Sequence, residues 1–96
     1  MKEEGFREKL VQAAQQWDLW GYGSFGLPRL EMEGDRYLLV EMLDGILEYG
    51  PERIRLAAGP LVVQIDGRQL EIASMDRGSL AIRGRIREVT MTEAGR

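Results

Sequence analysis

Residues 61–72 read LVVQIDGRQLEI, two apolar stretches around an Asp-Gly pair. On one side Leu61, Val63 and Ile65 alternate, and on the other Leu70 and Ile72 do the same, which is the period of a half-buried strand. Asp66-Gly67 supplies the positive φ angles that a two-residue reversal needs, so the stretch predicts a hairpin with strands over 61–65 and 69–73. A chain built on such hairpins is antiparallel β.

The same pattern extends in both directions. Strands are expected over 29–33, 37–43, 46–49, 53–57, 61–65, 69–73, 79–82 and 85–91, about eight in all. A unit of apolar residue, any residue and glycine recurs as Met32-Glu33-Gly34, Leu43-Asp44-Gly45, Ile65-Asp66-Gly67 and Ile82-Arg83-Gly84. Read as turn formers, these glycines predict an antiparallel meander closing into a compact sheet or sandwich. Their uneven separations count against a repeat, with a short irregular β-solenoid as the alternative. Ile86 and Val89 are three apart and cannot share a face of a regular strand, so a bulge is expected around Arg87-Glu88. The polar tail over 92–96 is expected to fray.

Upstream of the strands the period changes. Phe6, Leu10, Ala13, Ala14 and Trp17 recur at three- and four-residue steps, which predicts an amphipathic helix over 1–20 that packs on the body, on a second copy or on a partner. A linker rich in glycine and aromatic residues follows over 21–28, leaving the β domain over 29–91. Within the linker GYGSFG, residues 21–26, matches G-x-G-x-x-G, but its context is inverted. A dinucleotide fingerprint follows a strand and opens a helix, whereas this one follows a helix and leads through Pro28 into a strand. No cofactor is expected.

Composition narrows the function further. The chain has 96 residues, room for one domain and no second catalytic one, and a net charge of −3 that gives no general affinity for nucleic acid. It has no cysteine and no histidine, which removes disulfides, the usual zinc ligand sets and imidazole acid–base chemistry. Neither an enzyme nor a metal protein is expected. The charged N-terminus MKEEGFREKL has no apolar core of signal-peptide length, so the protein is expected to stay on the side of the membrane where it is made.

Three groups of residues are candidates for function. Arg83, Arg85 and Arg87 lie two apart, and an extended strand would set them in one basic row able to meet phosphates, with Arg68 as an added member. Gly84 and the expected bulge interrupt that row, and no aromatic residue lies within it to stack a base. Pairing with acids such as Glu71 or Glu88 is therefore the simpler expectation. Glu31, Glu33 and Glu41 could in principle perform hydrolysis, but alternating acids on strands belong to the solvent side of a sheet. Trp17, Trp20, Tyr22 and Phe25 cluster ahead of the strands, either covering one end of the sheet or anchoring a partner.

The strand region also resembles a known family. Leu27-Pro28-Arg29-Leu30 leading to Gly34, Gly45-Ile46-Leu47-Glu48-Tyr49 leading to Arg53-Ile54-Arg55, the Ile65-Asp66-Gly67 segment and the terminal Gly84-Arg85-Ile86-Arg87-Glu88-Val89 follow in the order seen in the YabP/YqfC family of sporulation proteins, in its YqfC branch. The resemblance covers 27–91, and DLWGYGSFG replaces the short polar segment that family members carry upstream. It implies a non-enzymatic protein of the mother-cell cytoplasm in an endospore former, acting in spore morphogenesis. Its expected partner is a membrane-anchored sporulation protein of the YqfD type, reached at the forespore membrane, with homo-oligomers as a further form. The alternative function is a small nucleic-acid-binding β module that uses the arginine row.

Overall fold

The structure, a computed structural model, describes residues 26–94. The expected helix over 1–20, the aromatic quartet Trp17, Trp20, Tyr22 and Phe25, and the GYGSFG segment up to Phe25 lie outside the described residues. Six strands follow in order: β1 Arg29–Glu33, β2 Tyr37–Glu41, β3 Leu43–Tyr49, β4 Arg53–Ala58, β5 Leu61–Asp76 and β6 Ser79–Glu93. They form one open sheet in the order β1-β2-β6-β5-β4-β3, with every neighbouring pair antiparallel. A solenoid, which stacks parallel strands, is ruled out. The expected meander holds from β3 to β6, but the β1–β2 hairpin attaches to β6 and not to β3.

Six strands replace the expected eight because Asp66-Gly67 and Arg83-Gly84 are not turns. Both lie inside long strands, β5 of 16 residues and β6 of 15. Gly67 does not have a positive φ. Its role is close approach: a Cβ added there would overlap the carbonyl oxygen of Arg85 on the facing strand. Gly84 meets the same constraint from the other side, with φ of 142° and space for a Cβ closed by the Gln69 carbonyl oxygen at 2.6 Å. The two backbones cross here nearly in contact, and only glycine permits it.

Around this crossing the register slips three times. Arg87 is the extra residue between the pairs Asp66–Glu88 and Gly67–Ile86, which is the expected bulge. Gln69 and Leu70 on β5 oppose only Gly84, and Ala73 is extra one turn of the ladder further on. Gln69 takes a φ of 52°, the left-handed conformation that a bulge of this kind demands. The reversals fall instead at Gly59-Pro60 and at Arg77-Gly78, with φ of 57° at Gly59 and 77° at Gly78. Of the four glycine units, only Gly34 makes a turn, between β1 and β2, closed by the Arg36 N–H donating to the Glu33 carbonyl at 3.1 Å.

The bent β5–β6 ribbon carries two similar arms. The first half of β6 pairs with β2, which pairs with β1; the first half of β5 pairs with β4, which pairs with β3. Each arm's turn ties down the bend of the long strand beside it. Gly67 and Leu70 donate N–H bonds to the Glu52 and Pro51 carbonyls at 3.1 and 2.8 Å, while Gly84 and Ile86 donate to those of Arg36 and Asp35 at 3.2 and 2.7 Å. The ribbon thus has an approximate two-fold relation, with Ile65-Asp66-Gly67-Arg68 matched by Ile82-Arg83-Gly84-Arg85.

Alternation puts the core in rows across the strands. In one arm the rows are Met32-Leu38-Ile82-Ile72 and Leu30-Val40-Leu80-Met75; in the other they are Tyr49-Ile54-Ile65-Val89 and Ile46-Leu56-Val63-Met91. Leu38, Val40, Ile54, Leu56, Val63, Ile65, Leu80 and Ile82, the middle members, are buried and join in a single cluster that spans both arms. Each such side chain contributes about 1.5–3 kcal/mol by leaving water. The expected strand over 37–43 ends at Glu41 because Met42 adopts a φ of 71°, and the Met42 and Leu43 N–H groups both donate to the Gly78 carbonyl. At the other end, Thr92 and Glu93 belong to β6 instead of fraying, and the Ala94 N–H donates to the Pro60 carbonyl at 2.9 Å.

Candidate interaction surface at the ribbon bend

The bend of β5 forms the wall of an open cleft of about 390 Å³, lined by Glu48, Glu52, Arg53, Asp66, Gly67, Arg68 and Arg87. The cleft exists because alternation places Arg53, Gln64 and Asp66 on the sheet face opposite the core, while the bulge turns Arg87 toward them. Asp66 is only 5% exposed, so its charge must be matched. Gln64 Nε2 donates to one carboxylate oxygen at 2.9 Å and Arg53 Nε to the other at 2.7 Å. These bonds hold the Asp66 carboxyl below the ordinary aspartate range; burial pushes the other way, and the positive charges of Arg53 and Arg87 add to the lowering. Arg53 is correspondingly raised, mainly by its hydrogen bond to Asp66. The pair ties the start of β4 to the bend.

The other charges in the cleft reach this pair only through space, Arg87 acting on Asp66 and Glu48 on Arg53. Among the described residues no hydrogen bond or ion pair engages the side chains of Arg68, Arg87, Glu48 or Glu52. Arg68 faces Arg85 directly across the ladder, a like-charge pair that opposes strand pairing.

The structure divides the arginine row. Arg83 lies on the first arm, where its Nε donates to Glu71 Oε2 at 2.7 Å, the cross-strand pairing expected for it. Arg85 sits at the bend opposite Arg68, and Arg87 lines the cleft beyond it. The acids expected on the solvent side are dispersed too: Glu41 pairs with Arg29 at 3.9 Å, and Glu31 and Glu33 are exposed on edge strand β1. Arg53, Gln64 and Asp66 were not visible as site residues in the sequence. The two-residue spacing of Gln64 and Asp66 hinted at a shared face, but Arg53 arrives only through the β4–β5 register.

A second surface is apolar. At the ends of the core rows, Met32 (45% exposed), Met75 (61%), Ile46 (39%), Tyr49 (55%) and Met91 (52%) face the same side as the buried middle members but lie at the margins of the sheet. Leu47, an extra residue in edge strand β3, adds to this margin at 52% exposed. Tyr49 also works structurally, its hydroxyl accepting the Ile72 N–H at 3.3 Å.

A small antiparallel β domain with a bent central ribbon, a charged cleft and apolar margins is the class of protein these features define. The model of the YabP family matches residues 27–96, from the residue before Pro28 through all six strands. The chain therefore belongs to the YabP family, a sporulation-associated family. No curated protein and no solved structure matches it.

Proposed function

We propose that this chain is a non-enzymatic protein of spore morphogenesis that works in the mother-cell cytoplasm through protein–protein contacts, with a membrane-anchored sporulation protein of the YqfD type as its partner. The family match over residues 27–96 is the observation that carries this reading. The apolar margins of the sheet and the charged rim of the cleft support it, because both are surfaces that a partner can cover.

Deletion of the gene in a spore former tests the proposal. Vegetative growth is expected to be normal and the yield of heat-resistant spores reduced, with recovery on complementation. A normal spore yield in a deletion strain that carries no paralogue overturns it.

A further inference from the structure

The cleft at the ribbon bend gathers charges of both signs that no ion pair engages among the described residues. Among the described residues Arg68, Arg87, Glu48 and Glu52 make no side-chain hydrogen bond or ion pair, although all four line the same 390 Å³ space; Arg87 acts on Asp66 and Glu48 on Arg53 only through space. The fold also tolerates Arg68 opposite Arg85 with no carboxylate among the described residues in ion-pair reach of either. Asp66, by contrast, is buried and held on both carboxylate oxygens by Gln64 and Arg53, so the charge at the base of the cleft is fixed in place while those at its rim are not ion-paired among the described residues. A carboxylate fixed at the base with charges above it that make no ion pair is an arrangement suited to recognition.

The signs of those charges identify the ligand class. A polyanion such as nucleic acid would gain contacts from Arg68 and Arg87 but would meet Glu48 and Glu52 at the same rim, on a chain whose net charge is −3. Among the described residues no aromatic side chain lines the cleft to stack a base. A polypeptide segment with both an acidic and a basic side chain would satisfy both pairs together.

We propose that this cleft binds an extended segment of a partner protein, taking a carboxylate of the partner between Arg68 and Arg87 and a lysine or arginine of the partner against Glu48 and Glu52. The proposal rests on the reading of this chain as a protein-contact module and assigns that contact its place and charge pattern.

The test is a nuclear magnetic resonance titration of the full chain, labelled with nitrogen-15, with three probes: a capped peptide of alternating aspartate and lysine, its all-aspartate counterpart, and a single-stranded oligonucleotide. The mixed peptide is expected to move the Gly67 amide and the Arg68 and Arg87 Nε–H signals at lower concentration than either polyanion. The double variant Arg68→Gln, Arg87→Gln is expected to weaken that binding by about tenfold or more while its amide spectrum stays dispersed. The double variant Glu48→Gln, Glu52→Gln is expected to let the all-aspartate peptide bind as well as the mixed one.

Stronger binding of the oligonucleotide, silence at the cleft signals with all probes, or unchanged binding in the arginine variant overturns the proposal. Its failure is separable from that of the function reading. A deletion strain restored to full spore yield by the Arg68→Gln, Arg87→Gln chain rejects the cleft and leaves the morphogenetic role standing.

Discussion

Asp66 shows at the scale of one residue how a local reading and the fold diverge. In sequence it is half of an Asp-Gly turn signal; in the structure it is a buried carboxylate clamped by Gln64 and Arg53. Those bonds lower its folded-state pKa. A carboxyl with a lowered folded value contributes stability that is in place above the unfolded pKa, near 4, and is lost as pH falls through the folded value. Asp66→Asn keeps the shape and removes the charge, so the variant is expected to be less stable than the parent at neutral pH. The gap should narrow as pH drops below about 4. Denaturant unfolding at stepped pH measures it, and a gap independent of pH would show that the charge is not its source. The neighbouring Arg53 was beyond sequence reasoning because nothing local marks a partner 13 residues away.

At the scale of the element, the β5–β6 ribbon is the feature on which the arms depend. Its two glycines solve one steric problem from opposite sides, and that problem differs from a turn's. Gly67→Ala is expected to cost about 3 kcal/mol or more, because the new methyl group must displace the backbone of β6 at Arg85. Gly34→Ala is the control. That glycine sits in an open turn at φ of 51° with nothing near the added methyl, so only the left-handed penalty of about 1–2 kcal/mol applies. Urea unfolding of both variants checks the order, and a Gly67→Ala cost no larger than that of Gly34→Ala would mean that the strands do not need their close approach. The bulge at Arg87 was legible, because Ile86 and Val89 broke the two-residue period. The continuity of β5 through Asp66-Gly67 was not, since the dipeptide permits a turn equally well and only pairing with β6 on one side and with the Pro51-Glu52 segment on the other selects the bend.

For the whole molecule, the core rows separate stability from contact. Leu56 and Ile46 lie in the same row, but Leu56 is fully buried and Ile46 is 39% exposed at the margin. Leu56→Ala is expected to cost about 2–5 kcal/mol and Ile46→Ala less than about 1 kcal/mol. Equal costs in calorimetry would place Ile46 in the core after all. From its sequence alone this chain was determined to be mainly β over 29–91, with neither cysteine nor histidine and with the segment order of its family. Those properties follow from residue identity and from the two-residue period, which needs no partner to be read. Only the tertiary structure decided that six strands replace eight, that β2 lies beside β6, and that Arg68 and Arg87 share a cleft with Glu48 and Glu52. The physical reason is common to all three: a glycine or a charge states what the backbone may do locally, while its strand neighbours are fixed by packing between residues far apart in the chain.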